Sequence, residues 1–502
     1  MGNGWSIAAV TATVALATPM LGVGPATAAA TAPTESPARI SWHRCDDHAL
    51  ASQGARCADV RVPLDPADPT GTTIRLAVSR IAHTSGARTY RGALLVNPGG
   101  PGGSGLDLSL IANNFPESVR SRYDWIGFDP RGVGESRPRL SCIPDYSGFA
   151  RPDYFPKPSS NEKKWLKRTK QYAQACAADG GTLLDHMRTT DSAADMEFLR
   201  AALRSPTLNF FGFSYGTYLA QVYATQYPDR VGRMVLDSNV DPQRAFYQAN
   251  LDQDLAMQKI LNRWYAWIAD NPRQFGLGNT RKKVSHTYRT IERRLAQHPA
   301  KGKIGSSEWT DIFNEVTYST AVWASRADLF AKYARTGRGG PLVKAYRQTA
   351  MFGDDNMLAV YNAVQCTDAP WPADWSTWKS DAWSIYPKSR DVVWMNTWFN
   401  APCLYWPAPA GPRVTVGNES RLLLIGGSDD GATPFSGSLT VRRLFPRSSL
   451  VELTDTMSHA VSLDNSCSRR IINRYLGKGE LPRRKSGDRP DVRCTPDPTG
   501  LS

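Results

Sequence analysis

One short segment has the residue types and the spacing of a serine nucleophile. Residues 212–216 read Gly-Phe-Ser-Tyr-Gly, directly after the apolar run 208–211 and just before the helix-forming run 218–224. A serine on the turn between a buried strand and a helix needs small residues on both sides, because the turn is too tight for larger ones. The segment therefore predicts a nucleophile elbow at Ser214, whose hydroxyl projects into a cleft and needs a base to activate it.

The base that Ser214 needs is predicted to be His459. Chain order in α/β sheets with this kind of turn places the acid after the serine and the histidine last. Among seven histidines, His459 alone fits this order well, in a small polar loop after the apolar run 450–453; its alternative role is that of a surface-loop histidine. The other six are His43, His48, His83, His186, His286 and His298.

Two neighbouring aspartates are candidates for the acid that orients the histidine. Asp429 and Asp430 both follow the apolar run 422–425. Such an acid holds the imidazole in the right tautomer and stabilises the imidazolium. The pattern alone does not choose between the two aspartates, and the other one is expected to cap the loop.

A glycine-rich segment has the composition of an oxyanion-binding loop. Residues 97–105 read Asn-Pro-Gly-Gly-Pro-Gly-Gly-Ser-Gly and follow the apolar run 93–96. Glycine lets backbone N–H groups approach a bound group closely, so Gly100 and Tyr215 are the predicted oxyanion-hole donors. A phosphate cradle is the alternative, but the Lys-Ser/Thr ending of a nucleotide-binding loop is missing and proline has no N–H to offer.

These residues require a sheet whose strands are buried on both faces. Several short runs are continuously apolar rather than alternating, which indicates parallel strands. The runs cover residues 74–81, 93–96, 125–128, 208–211, 234–236, 422–425 and 450–453. Helical spacing over residues 190–203 and after Ser214 places helices between strands. The sequence therefore predicts an α/β fold with a mostly parallel central sheet flanked by helices.

The chain divides into segments of different composition and hydrophobic pattern. Residues 241–411 have helical patterns and contain 11 of the 15 tryptophans, whereas strand-like runs resume near residue 422. This segment is predicted to be a helical cap inserted between core strands, which divides the core into residues 31–240 and 412–482. Residues 483–502 are predicted to be a polar C-terminal tail.

The N-terminus predicts export. Residues 1–30 carry no charge, contain a short apolar stretch and end in small residues, which is typical of a cleaved signal peptide, although the usual preceding Lys or Arg is absent. No later segment is apolar and long enough to predict a membrane span. The mature chain is therefore expected to be secreted to the extracellular space, without stable membrane insertion.

Eight cysteines in an exported chain favour disulfides over metal binding. Loop closure favours neighbours in sequence, which pairs Cys45 with Cys57, Cys142 with Cys176, Cys366 with Cys403 and Cys467 with Cys494, although other connectivities stay open.

The formal net charge of +14 is distributed over scattered basic residues in short runs. Nucleic acid is therefore not a predicted partner, and the charge suits acidic substrates or adhesion to an anionic cell wall.

Seven segments spread over most of the chain form one combined pattern. They are residues 97–102 (Asn-Pro-Gly-Gly-Pro-Gly), 128–136 (Phe-Asp-Pro-Arg-Gly-Val-Gly-Glu-Ser), 212–217 (Gly-Phe-Ser-Tyr-Gly-Thr), 236–237 (Leu-Asp), 366–368 (Cys-Thr-Asp), 430–434 (Asp-Gly-Ala-Thr-Pro) and 458–459 (Ser-His). The pattern resembles the secreted tripeptidyl aminopeptidases, α/β-hydrolases related to proline iminopeptidase that carry a characteristic C-terminal domain. The resemblance implies the α/β-hydrolase fold with a helical cap, and it implies that the acid is Asp430, three residues before Thr-Pro.

The resemblance further implies release of tripeptides from the free N-termini of peptides or proteins. Such an enzyme must hold an ammonium group, which a partly buried carboxylate would bind. Asp368 and Glu315 are the candidates, with a structural or solvated role as the alternative for each. The sequence departs from the family pattern at residues 428–431 and at Ala460, which affects the loops on the leaving-group side of the cleft.

These observations predict a serine peptidase that forms an acyl-enzyme and requires no cofactor or metal. Asp129 and Arg131 are expected to brace the core loops through ion pairing rather than to take part in chemistry. An exported esterase or lipase with the same triad is the first alternative, because the Trp-rich cap could line an acyl pocket. A non-catalytic binding protein is disfavoured because all three triad residues are present.

Overall fold

The computed structural model describes residues 40–497, so the predicted export signal, residues 1–30, lies outside the described residues. Ten strands form one sheet in the order β1-β2-β3-β5-β4-β6-β7-β8-β9-β10. The strands are β1 His43–Arg44, β2 Arg56–Pro63, β3 Thr73–Ile81, β4 Ala93–Asn97, β5 Asp124–Phe128, β6 Leu208–Phe213, β7 Val231–Asp237, β8 Leu422–Gly427, β9 Ser449–Leu453 and β10 Val492–Cys494. From β5 to β10 every neighbouring pair is parallel, which confirms the predicted α/β fold with a mostly parallel sheet.

The central strands are buried on both faces, as their continuous hydrophobicity predicts. Every residue of β4 is buried. Ala93 and Leu95 belong to one apolar cluster, whereas Leu94 and Val96 belong to another, because successive side chains of a strand point to opposite faces. The sheet therefore has a hydrophobic layer on each side, and functional groups are left for the loops at the strand ends.

Sixteen α-helices accompany the sheet in the described part of the chain. They are α1 His48–Ser52, α2 Glu117–Arg120, α3 Ser159–Gly180, α4 Thr189–Ala202, α5 Tyr215–Gln226, α6 Tyr247–Asp270, α7 Pro272–Phe275, α8 Arg281–Gln297, α9 Ser306–Asn314, α10 Trp323–Thr336, α11 Gly340–Tyr346, α12 Asn356–Asp368, α13 Trp375–Ile385, α14 Val393–Asn400, α15 Phe435–Leu444 and α16 Ser466–Lys478. None of the helices within residues 40–497 has both the length and the apolar character that a membrane span requires.

The chain between β7 and β8 is helical and has an apolar core of its own. Helices α6 to α14 all lie there, and we call this part of the chain the insertion. Trp264, Trp309, Phe313 and Phe330 are buried together in it. Part of the tryptophan-rich composition of residues 241–411 thus belongs to a second hydrophobic core.

A second helical segment, between β5 and α4, packs against the insertion. No pattern in the sequence predicted this segment. Helix α3 leaves the core between β5 and α4, and its buried Trp165 stacks on Trp398 of α14 with ring centroids 5.8 Å apart. The Cys142–Cys176 disulfide links α3 to the chain that precedes it in this segment. The helical layer is therefore built from two separate parts of the chain.

The four disulfides have the predicted pairing of sequence neighbours. Besides Cys142–Cys176 they are Cys45–Cys57, Cys366–Cys403 and Cys467–Cys494. The last one attaches α16 to β10, which lies in the segment predicted to be a polar tail. A buried ion pair between Arg442 and Asp491, 2.7 Å apart, adds to this attachment. The segment therefore contributes an edge strand to the sheet.

Candidate active site

Ser214 lies on a strained turn between β6 and α5. Its backbone has φ 55° and ψ −126°, a left-handed conformation that costs energy for any residue other than glycine. A Cβ atom at Gly212 would approach the Gly216 carbonyl oxygen to 2.7 Å, and one at Gly216 would approach the Asn97 carbonyl oxygen to 2.8 Å. The two glycines flanking the serine are therefore required by packing, which is the geometry of a nucleophile elbow.

His459 and Asp430 form a buried hydrogen-bonded pair. The His459 Nδ1 atom is 2.8 Å from Asp430 Oδ2 and 3.0 Å from Oδ1. The Asp430 carboxylate also accepts hydrogen bonds from the N–H groups of Ala432 and Thr433, at 2.8 and 3.0 Å. Because Nδ1 faces the carboxylate, Nε2 is left free to accept a proton from a nucleophile.

Each member of this pair shifts the pKa of the other. Burial lowers the pKa of His459, but the charge of Asp430 and its hydrogen bond outweigh burial and raise it above its ordinary value. Burial likewise raises the pKa of the Asp430 carboxyl, but His459 and the Thr433 N–H outweigh burial and lower it. The pair is therefore built to stabilise an imidazolium beside a carboxylate.

Asp429, the other aspartate of this loop, points to a different environment. Its carboxylate forms ion pairs with Lys259 and Arg263 of α6, at 3.2 Å for Arg263. The structure therefore brings Asp430 to the histidine and uses Asp429 to attach the acid loop to the insertion.

The predicted oxyanion donors Gly100 and Tyr215 lie beside Ser214 on one cavity wall. Tyr215 is the first residue of α5, and the N–H groups of the first turn of a helix have no intrahelical acceptor. Gly99 packs so closely on the elbow that a Cβ atom there would lie 2.9 Å from the Tyr215 nitrogen. The glycine-rich loop and the helix start thus share one position where N–H groups can meet a developing negative charge.

Asp129 holds the glycine-rich loop in place. Its carboxylate accepts hydrogen bonds from the Ser104 hydroxyl at 2.6 Å and from the N–H groups of Gly105 and Leu106 at 3.0 and 3.2 Å. Arg131 forms the expected ion pair, with buried Asp195 at 2.7 Å. Arg131 thus braces the core by ion pairing, whereas Asp129 does so through hydrogen bonds.

Ser214 and His459 line one cavity of about 500 Å³, a size typical of small-ligand sites. The core loops supply the wall around Ser214, and the insertion supplies much of the remaining lining. Apolar lining side chains include Phe246, Met257, Met357, Leu358, Met395 and Phe399. The cavity therefore offers a largely apolar space next to the nucleophile and the base.

Carboxylates line the part of the cavity that the insertion supplies. Glu315 lies on the wall with its side chain 37% exposed, and Arg326 pairs with it at 3.0 Å. Asp311 also lines the cavity, paired with Arg151, which in turn pairs with buried Glu308. Two carboxylates share the single Arg151 guanidinium, so this group carries a net negative charge that would attract a cation.

Asp368 does not fit the ammonium-binding role considered for it. Among the described residues that line the cavity, Asp368 is not present. Its buried carboxylate accepts hydrogen bonds from the Thr189 N–H at 2.6 Å and from the Thr189 hydroxyl, and burial raises its pKa to about 7. The Thr189 hydroxyl also contacts the Tyr215 hydroxyl at 2.7 Å. Asp368 therefore supports the first residue of α5 through Thr189.

Contacts between the insertion and the histidine loop were missed by sequence analysis. The His459 N–H donates to the Tyr318 carbonyl oxygen at 2.8 Å. The Ser458 hydroxyl accepts a hydrogen bond from the Thr320 N–H at 3.0 Å and contacts the Thr320 hydroxyl at 2.9 Å. These partners are more than a hundred residues apart in sequence, and neither side has a motif that would reveal the contact.

Comparison with known proteins identifies the family of the chain. A family model described as "alpha/beta hydrolase fold" matches residues 92–466. The Tripeptidyl aminopeptidase of Streptomyces lividans is 38% identical over 478 residues, which cover 92% of this chain and 88% of that protein. Serine protease Hip1 of Mycobacterium tuberculosis is 27% identical over 88% of this chain and 89% of its own length. Carboxylesterase B of the same organism is 30% identical, over 90% of each chain.

Proposed function

The chain belongs to the tripeptidyl aminopeptidase family of α/β-hydrolases and is a serine peptidase, and from this premise we propose that it is a secreted enzyme that releases tripeptides from free N-termini. The observation that carries the proposal is one cavity that combines Ser214, the His459–Asp430 pair and a carboxylate-bearing lining from the insertion. We propose Ser214, His459 and Asp430 as its catalytic triad.

The proposed reaction follows from the positions of these groups. Ser214 Oγ attacks the scissile carbonyl carbon while His459 Nε2 takes the hydroxyl proton, and Asp430 stabilises the resulting imidazolium. The N–H groups of Gly100 and Tyr215 stabilise the oxyanion, and losing one such donor typically costs about 2.7–4 kcal/mol of barrier. His459 then gives its proton to the leaving amine, and water hydrolyses the acyl-enzyme with His459 again acting as base.

The insertion is proposed to select substrates with a free N-terminus. A peptide that enters the cavity to reach Ser214 can extend only as far as the insertion allows, which would limit the number of residues before the cleaved bond. Glu315 is the proposed partner of the terminal ammonium, because it lies on the cavity wall and is partly open to solvent. The nearby net negative charge of the Arg151, Glu308 and Asp311 group would favour the same cation.

Secretion is part of the proposal and rests on two observations. Residues 1–30 have the composition of an export signal. All eight cysteines form disulfides, which persist in oxidising compartments and are rare in the cytosol.

Mass spectrometry of cleavage products tests the proposed specificity. The protein is incubated with an unblocked peptide library and with the same library after N-acetylation. We expect tripeptides from the unblocked set and a strong loss of cleavage in the acetylated set. Equal cleavage of both sets would contradict recognition of the ammonium, and the Ser214→Ala variant controls for contaminating peptidases.

An esterase is the second candidate, because the cavity lining is largely apolar and one relative is named a carboxylesterase. Hydrolysis of short-chain esters without cleavage of either peptide set would favour this candidate. The triad assignment would be unchanged, since the same groups cleave both bonds.

A further inference from the structure

A buried aspartate behind the histidine loop has no part in the mechanism described above. Asp237 ends β7 in the Leu236-Asp237 segment, and only 1% of the residue is exposed. Its carbonyl oxygen accepts a hydrogen bond from the Ser214 N–H at 3.0 Å, so its backbone is already part of the elbow. Its carboxylate points to another element of the site.

The Asp237 side chain binds the chain immediately after His459. Asp237 Oδ2 accepts a hydrogen bond from the Ser462 N–H at 2.9 Å. Oδ1 accepts one from the Ser238 hydroxyl at 3.3 Å, and Ser238 Oγ accepts the Ala460 N–H at 2.9 Å. Residues 460 and 462 are thus both held by the end of β7.

The histidine loop needs such an anchor because its backbone is strained. Ala460, directly after His459, has φ 57°, which is unfavourable for a residue with a Cβ atom. Strained backbone of this kind persists where surrounding contacts over-determine it. The two hydrogen bonds from the end of β7 supply that constraint next to the base.

Asp237 also places a second carboxyl group near the imidazole. The charged groups that act on it are His459, which lowers its pKa, and Asp430, which raises it. Burial is the largest influence, and together these raise the pKa of Asp237 to about 6. The negative charge of the Asp237 carboxylate in turn contributes to the raised pKa of His459.

We propose that Asp237 is a positioning residue for His459, which anchors the histidine loop through Ser462 and Ser238 and adds a second negative charge behind the imidazole. The inference rests on the proposed triad, because it assigns a support to the base of that triad. It also gives a physical role to the Leu236-Asp237 segment.

The test is the pH dependence of the rate at which a fluorophosphonate labels Ser214 in the full-length protein. Asp237→Asn keeps the size of the side chain and removes its charge. We expect labelling to slow about tenfold or more, because small displacements of a catalytic group have large effects on rate. We also expect the midpoint of the acid limb to move to lower pH, because loss of a nearby negative charge lowers the pKa of an imidazole.

A matched control separates this role from a general effect of changing a buried acid. Asp254 is also buried, and its carboxyl interacts with Asn396 at 2.9 Å. We expect Asp254→Asn to leave the pH midpoint unchanged. Ser238→Ala keeps the Asp237 charge and removes the contact with Ala460, so it should slow labelling.

The outcomes distinguish this inference from the proposed function. A wild-type protein that is not labelled at Ser214 contradicts the proposed function. If the wild type is labelled and Asp237→Asn has the wild-type midpoint, the charge role of Asp237 is wrong. If Ser238→Ala is labelled at the wild-type rate, the anchoring through Ser238 is wrong, and this holds even where Asp237→Asn fails to fold.

Discussion

The proposed nucleophile and its proposed base are held by different parts of the molecule. Ser214 sits on a turn that the sheet and α5 define between them, with glycine on each side and the Asp237 carbonyl as partner of its N–H. The loops that carry Asp430 and His459 are held from two directions, by the end of β7 and by the insertion. Ser214 is therefore held by core elements, and the insertion reaches the start of α5 through Asp368 and Thr189, whereas the loops of the proposed base bond directly to both layers.

This difference assigns a second role to the insertion. Tyr318, which binds the His459 N–H, lies three residues after Glu315, the proposed ammonium partner. Gln253 of α6 donates to the Ala432 carbonyl oxygen at 2.9 Å, next to the acid. The elements that would recognise a substrate are thus the ones that position the base, so changes in the insertion should act on the turnover rate as well as on binding.

The largest effect is expected from substitution of Asp430, and the adjacent Asp429 provides the comparison. Asp430→Asn should lower kcat about 10⁴-fold, because the amide favours the wrong tautomer of His459. Asp429→Asn removes ion pairs to α6 with exposed partners and should change stability by at most about 1 kcal/mol, with kcat close to wild type. Steady-state kinetics on both variants check this, and equal losses of kcat would contradict the assignment of Asp430.

A large effect is also expected from a single methyl group on the core side. Gly99→Ala would place a Cβ atom 2.9 Å from Ser214 Cβ, at a position with φ 92°. We expect a loss of kcat of about 10²-fold from displacement of the nucleophile and the oxyanion loop. Gly86→Ala is the control, since no atom lies within 4 Å of the added carbon. Wild-type kcat in Gly99→Ala would show that the loop does not constrain the elbow.

A moderate effect is expected at the contact between the insertion and the histidine loop. Ser458→Ala removes both hydrogen bonds to Thr320 and leaves the Thr320 N–H without that acceptor. A net cost of about 1–3 kcal/mol would accompany such a loss, so we expect roughly a tenfold lower kcat with little change in KM. Stopped-flow labelling by a fluorophosphonate measures the effect on the base directly, and an unchanged labelling rate would show that the insertion does not position His459.

The smallest effect is a shift in pH dependence. Because Asp430 raises the pKa of His459, the acid limb of kcat/KM should have its midpoint above pH 6.5, the ordinary value for histidine. Below that midpoint the imidazole is protonated and cannot accept the Ser214 proton. Asp430→Asn should move the midpoint to lower pH. A midpoint that does not move would contradict the coupling of this pair.

The fold and the surroundings of Ser214 could be predicted from the sequence because they are local. Continuous apolar runs define strands, and the Gly-x-Ser-x-Gly turn is specified within five residues. Loop closure also favoured the observed pairing of Cys45–Cys57 and the other three disulfides, although it left other connectivities open. Chain order pointed to His459, although the sequence by itself left Asp429 and Asp430 equivalent.

The contacts that hold the His459 loop could not be predicted, because they connect segments that are distant in sequence. The contact between Tyr318 and His459 depends on how nine inserted helices pack over the sheet, and no spacing in the sequence encodes it. Asp368 is a candidate for substrate binding because it is a carboxylate in a segment of the family pattern. Its hydrogen-bond partner Thr189, however, lies far away in sequence. The polar composition of residues 483–502 likewise gave no indication of the edge strand β10. The three residues of β10 that pair with β9 are too few for a hydrophobic pattern.

Ser214 is the proposed nucleophile, and His459 is proposed to activate it. The most direct measurement is to react the protein with a fluorophosphonate, digest it, and locate the adduct by mass spectrometry. We expect an adduct on the peptide that contains Ser214, its absence in a folded Ser214→Ala variant, and much slower formation in His459→Gln. Retained labelling of Ser214→Ala, or an adduct on another residue of the wild type, would contradict the assignment of Ser214.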